Sequence, residues 1–151
     1  MKRGELTMDI VRIRKLANNK FSWRDRARAV GMVKHWNCPE TREIVTRLAL
    51  EDPVYSVREK AFKVAHSFGV LVNGRPIFLG KKPKGDLVEH IQEKLVMVRD
   101  SFDEKCSAGA FLAKWKQMYP VDFDIYEGDR GNKKLMRWIS EEIPKLPKTK
   151  K

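Results

Sequence analysis

Four cations in the last third of the chain are spaced so that they could act together. Arg130, Lys133, Lys134 and Arg137 stand at i, i+3, i+4 and i+7. On one continuous helix such positions form a single stripe, and a row of guanidinium and ammonium groups suits the phosphates of a nucleic acid backbone. Leu135, Trp138, Ile139 and Ile143 take the other side, where they would pack and leave the cations outward. A second basic group, Arg12, Arg14, Lys15, Arg24, Arg26 and Arg28, lies near the N-terminus. Lys and Arg number 32 against 20 acids, a net +12, and residues 1–70 and 71–151 are each positive. That imbalance points to a polyanionic partner, bound with a steep dependence on salt. Trp23, Trp36, Tyr55 and Tyr126 are aromatics that could stack on bases, at positions equally suited to packing.

Other chemistry finds little support. Asp122, Asp124, Glu127 and Asp129 read as an acidic loop of solvated charge or a docking surface. They do not read as a calcium loop, because Tyr126 and Glu127 fill the places where an EF-hand needs a donor and a glycine. Cys38, Cys106, His35, His66 and His90 are scattered without ligand spacing, so neither a metal site nor a disulfide framework is expected. No nucleophile motif, phosphate-cradling glycine loop or HExxH occurs, and the expectation is a protein without cofactor or catalysis. Charges interrupt the N-terminus before a signal-peptide core of about 7 apolar residues, and Leu95 to Val98 is far below the ~18 that span a bilayer. A soluble cytoplasmic protein without a membrane partner is expected.

The elements that would carry these cations begin with a repeat. At a shift of 34 residues Ile10 falls on Ile44, Val11 on Val45, Leu16 on Leu50, Arg24 on Arg58, Ala27 on Ala61 and Val30 on Val64. Two stacked helical hairpins need such aligned small and aliphatic positions. Leu6, Ile10, Ile13 and Ala17 recur at helical spacing, as do Ile44 with Leu48 and Val57 with Ala61, Val64 and Ala65, which predicts four helices. Ser22 is placed to cap the second helix, Pro39 and Pro53 to open the third and fourth, and Gly69 to close the fourth. Val70 to Leu79 around Asn73-Gly74 predicts a β-hairpin leaning on the helices, and Gly80 to Gly85 a basic link between modules. Beyond it a helix over 86–103 capped by Asp86 with Glu89, a helix over 108–118 ending at Tyr119-Pro120, and a helix from Asn132 to Ile143 are predicted. The segment from Pro144 onward reads as a solvated tail.

Asp52, Pro53, Val57, Arg58, Ala61 and Ala65 fall on the turn-and-helix pattern of a HEAT repeat, and residues 1–70 resemble that family. The upstream copy keeps Arg24 and Ala27, has Gly31 for the second Ala and lacks Asp-Pro. The resemblance implies a structural ladder for Asp52 and Arg58, and a concave face of the kind that can hold DNA. Tyr119, Pro120, Asp122, Phe123, Gly131, Lys134 and Leu135 match the order of features in the LOTUS (OST-HTH) domain, which residues 86–146 resemble. That family is a small winged-helix module associated with RNA binding. The resemblance implies that Arg130, Lys133, Lys134 and Arg137 lie on the helix a helix-turn-helix presents to nucleic acid. Pro144 and Pro147 stand where the family continues into a wing strand.

The expected protein is mainly α: HEAT-like α-α superhelical hairpins over 1–70, a short β-hairpin and basic linker over 71–85, a three-helix, winged-helix-like module over 86–146 and a basic tail over 147–151. Its expected function is non-catalytic binding of nucleic acid, RNA in preference to DNA, through Arg130, Lys133, Lys134, Arg137, Arg12, Arg14, Lys15, Arg24 and Arg28. The alternative is a HEAT-type adaptor docking an acidic protein partner.

Overall fold

A computed structural model describes residues 3–83 and 85–148, with side chains from Asp9 onward. Lys84 of the basic link, the side chain of Leu6 and residues 149–151 of the tail lie outside the described residues. The described chain is mainly helical, with seven α-helices, one 3-10 turn and one two-stranded antiparallel sheet. It divides into two compact units at Lys82/Pro83.

The first unit holds α1 (Arg3–Ala17), α2 (Trp23–Val33), α3 (Pro39–Glu51) and α4 (Tyr55–Ser67). Ser22 caps α2 by accepting the Asp25 N–H at 3.2 Å, and Pro39 opens α3, as the sequence predicts. Gly69, at φ 70°, turns the chain out of α4 while the Val70 N–H closes on the Ala65 carbonyl. Pro53 lies in the turn before α4 rather than in its first position. The hairpins stack pairwise: α1 packs on α2 and α3 on α4, while α1 also meets α3 and α2 meets α4. Ile13, Val30, Val33, Val45, Leu48 and Ala61 lie in the core between them.

Arg26 sits in that core. Its Nε donates to Asp52 Oδ2 at 2.7 Å and its Nη2 to Oδ1 at 3.3 Å, with the two side chains only 5% and 1% exposed. Its Nη1 also donates to the Asn19 carbonyl at 2.8 Å, and Asp52 Oδ1 accepts the Val54 N–H at 2.9 Å. Arg26, on α2, therefore ties the α1–α2 loop to the α3–α4 turn. The expectation that Arg26 belongs to a surface cluster is corrected: its Cβ falls on the same helical face as Ala29, Val30 and Val33, so its guanidinium is buried and needs a carboxylate. Asp52 is structural, as the sequence suggests, but its partner is Arg26, and the buried Nε of Arg58 makes no hydrogen bond.

The predicted hairpin is present as β1 (Leu71–Val72) and β2 (Arg75–Pro76), pairing Leu71 with Pro76 and Val72 with Arg75. Asn73 and Gly74 between them both have positive φ, 53° and 76°, the geometry of the turn their types signal. Ile77 reaches into the helical core, so the small sheet leans on the helices.

The second unit comprises α5 (Ile91–Asp100), α6 (Ala108–Met118), α7 (Pro120–Glu142) and a 3-10 turn (Ile143–Lys145). Its core gathers Ile91, Leu95, Phe111, Trp115, Phe123 and Leu135. Ser107 caps α6 by accepting the Ala110 N–H. Three expectations are corrected here. The helix expected from Asp86 begins only at Ile91, because His90 is left-handed at φ 59° and the Leu87 N–H is given to the Tyr126 hydroxyl, not to a capping box. The acidic stretch 120–130 is helical, not a loop, since Phe123 and Tyr126 face the core one turn apart. The segment after Pro144 is not wholly solvated: Leu146 is buried and its carbonyl accepts from Arg99 Nη1 at 3.2 Å. No strand occurs among the described residues of this unit.

Gly131 breaks α7 with φ 75° and ψ 166°, a region essentially reserved for glycine. Beyond its own chain neighbours and the adjoining helix backbone, nothing lies within 4 Å of where its Cβ would stand, so the backbone angle is what demands glycine there. Gly131→Ala is expected to cost about 1 to 3 kcal/mol, read as a lower midpoint in a urea melt. An unchanged midpoint would show that the break is not required.

Candidate nucleic-acid interface

The break at Gly131 also decides which cations share a surface. After it, Leu135 and Ile139 are buried with Trp138 half-buried, and Lys133, Lys134 and Arg137 are exposed on the opposite face. Among the described residues none of the three enters an ion pair. Met136, Ser140 and Glu141 are the exposed side chains beside them, so one acid borders the stripe.

Arg130 stands on the other side of the break and is not part of the stripe. Its guanidinium Cζ lies 4.8 Å from the Tyr126 ring centroid and 4.5 Å from that of Trp138, two rings stacked at 5.3 Å. Its Nε is 3.9 Å from Asp129 Oδ2, and its Nη1 is buried without a hydrogen bond. The four-residue spacing assumed a single helical phase, and the non-helical Gly131 resets that phase. Arg130 is thus corrected from a phosphate contact to a packing cation held by ring faces.

The acids of 120–130 are engaged as well. Asp122 pairs with Lys94 Nζ at 2.7 Å, and Asp124 and Glu127 are buried. They form no acidic docking surface. Tyr126 packs against Trp115 and Trp138, and its burial pushes its hydroxyl above the usual tyrosine range.

On the first unit Arg12, Arg14, Lys15, Arg24 and Arg28 are all exposed, but they do not form one patch. Arg12 and Arg14 are two residues apart and diverge across α1. Lys15 shares the side of Arg12, and Arg14 lies away from both. At the start of α3 the Glu40 carboxyl is held below its ordinary range, first by accepting its own backbone N–H, then by a hydrogen bond from Cys38, with smaller help from the charges of Arg14 and Arg42. Arg24 and Arg28, one turn apart on α2, occupy the face opposite Ala29 and Val33, with the Arg24 guanidinium 4.8 Å from the Trp23 ring. Since α1 and α2 bury their inner faces against each other, the outward cations of the two helices look in different directions.

Of the four aromatics singled out as candidate stacking residues, Tyr126 is buried, Trp36 packs at the edge of the helical core, Trp23 lies under Arg24 and the Tyr55 hydroxyl donates to the Gly80 carbonyl at 3.1 Å. Burial removes Tyr126 as a base platform, and the other three are only partly exposed. The exposed aromatics are instead Phe21 and Phe78, which composition alone does not distinguish from core residues. Alternation past the hairpin is the signal for Phe78: once Ile77 is taken into the core, its neighbour must point out.

An open groove of ≈ 730 Å³ runs along α3, with Arg42, Glu43, Arg47, Leu50, Glu51 and Leu71 among its lining residues. Its charges balance. No group of three or more His, Cys, Asp or Glu side chains that could hold a metal ion occurs among the described residues, and no described helix is long and apolar enough to cross a membrane. No protein-family model matches the chain, and no match was found to a curated protein or to a solved structure.

Proposed function

We propose that this chain is a non-catalytic nucleic-acid-binding protein of the cytoplasm, with RNA its preferred ligand, which grips the phosphate backbone through Lys133, Lys134 and Arg137. The observation that carries this reading is the exposure of these three cations on one helical face, with no ion pair among the described residues to neutralise them. Within the first unit, Arg12 with Lys15 and Arg24 with Arg28 are separate exposed cationic faces that suit phosphate in the same way. The HEAT-like reading of residues 1–70 draws support from the pairing of α1 with α3 and α2 with α4. The LOTUS-like reading of 86–146, from which the preference for RNA comes, draws support from α6 and from the arm of α7 after Gly131. The added helical arm over 120–130 and the missing wing strand depart from it.

A filter-binding titration with a labelled RNA across a salt series tests the proposal. Lys133→Glu, Lys134→Glu and Arg137→Glu together should weaken binding at low salt and flatten the log–log salt dependence by roughly 2 to 3, about one per lost phosphate contact. The thermal midpoint should stay put, since all three side chains are exposed. Unaltered binding in the triple variant would overturn the assignment of this face. An adaptor that docks a protein partner is the second reading, favoured by exposed Leu50 and Leu71 along the α3 groove. Absence of binding to RNA and DNA at low salt would leave that reading.

A further inference from the structure

Three observations bring separate parts of the first unit to one end of it. Arg26 joins the Asn19 carbonyl to the Asp52 carboxylate, so the α1–α2 loop lies beside the α3–α4 turn. The Tyr55 hydroxyl, just past that turn, holds the Gly80 carbonyl, so the segment after the β-hairpin arrives there too. Asn19 then fixes the loop itself, accepting the Phe21 N–H on Oδ1 at 3.1 Å and donating from Nδ2 to Asp25 at 2.8 Å. On this braced frame stand two outward aromatics, Phe21 at 53% and Phe78 at 83% exposure. Lys20 Nζ lies 5.9 Å from the Phe21 ring centroid, Arg24 follows on α2, and exposed Lys81 follows Phe78 by three residues.

We infer that this end of the helical unit is a stacking site for the unpaired bases of a single-stranded nucleic acid, with Phe21 and Phe78 as the platforms. Lys20, Arg24 and Lys81 would take the adjoining phosphates. The inference rests on the nucleic-acid reading above and narrows it to single strands. An exposed apolar ring on a braced backbone with cations nearby in the chain matches a ligand that presents a π-face and an anion at each unit. A duplex hides its base faces and offers only the anion. The frame is already ordered, so little loop entropy is lost on binding.

Fluorescence anisotropy with a labelled 20-nucleotide single strand and the matching duplex, on the full chain, tests this. The unmodified protein should bind the single strand more tightly. Phe21→Ala and Phe78→Ala should each weaken single-strand binding about tenfold while leaving the salt slope and duplex binding unaltered. Phe21→Trp and Phe78→Trp should retain the affinity, and Phe21→Leu should behave as Phe21→Ala because it keeps apolar area without a π-face. Normal single-strand affinity in both alanine variants, with the triple Glu variant on α7 defective, would overturn the stacking site and leave the broader reading standing. No binding of either oligonucleotide at low salt would overturn both. Loss of binding to phosphatidylserine vesicles in the alanine variants, with oligonucleotide binding intact, would assign the rings to a lipid surface and overturn the inference.

Discussion

Arg26→Ala is expected to lower the thermal midpoint of the full chain by at least about 12 °C. The substitution leaves the Asp52 carboxylate, 1% exposed, without its guanidinium. Removing one partner of a buried ion pair costs roughly 3 to 5 kcal/mol, against a whole-domain stability of about 5 to 15. For a unit of this size each kcal/mol moves the midpoint by about 4 to 8 °C. Asp52→Asn should do comparable damage, because it strands the cation and keeps only the acceptor for the Val54 N–H. The double variant Arg26→Met with Asp52→Asn should recover part of the loss, since no uncompensated charge then remains in the core. Circular dichroism melts of the four proteins measure this. A fall below about 3 °C in Arg26→Ala would show that the pair contributes little.

Trp115→Ala carries the second large expected loss. The indole is fully buried, 5.5 Å from the Phe123 ring in an edge-on contact, 5.4 Å from Tyr126 and 6.3 Å from Trp138. Emptying that volume should cost about 3 to 5 kcal/mol, as aromatic truncations in packed cores do. Trp115→Phe should cost clearly less. The indole Nε1 is buried without a hydrogen bond, so replacing it with carbon forfeits area but relieves an unsatisfied donor. Urea melts followed by ellipticity compare the two. Equal losses would mean that the Nε1 group contributes to the fold after all.

What the sequence allowed depended on whether a residue's role follows from near neighbours. The four N-terminal helices, the Ser22 cap, the Asn73-Gly74 turn and the helix over 108–118 are local patterns, and the structure has them. For Arg26 charge suggests water, while its helical face, shared with Ala29, Val30 and Val33, is a matter of angle. Its partner lies 26 residues away, and the repeat alignment pointed instead to Arg24 and Arg58. The helix over 120–130 was hidden by its acids, although Phe123 and Tyr126 three apart announce it. Arg130 left the stripe for a reason no spacing shows, the backbone angle of one glycine. The site at the end of the first unit was illegible because hydrogen bonds between distant loops assemble it.

The ion pair that spans the two hairpins has a consequence for heredity. The guanidinium is inherited with one hairpin and the carboxylate with the other, so gene duplication or exchange by a single hairpin would orphan a charge in each descendant. The tandem pair is therefore the smallest piece that could be copied or swapped intact. Only replacement of both members together by apolar side chains would release either hairpin from the other without stranding a charge.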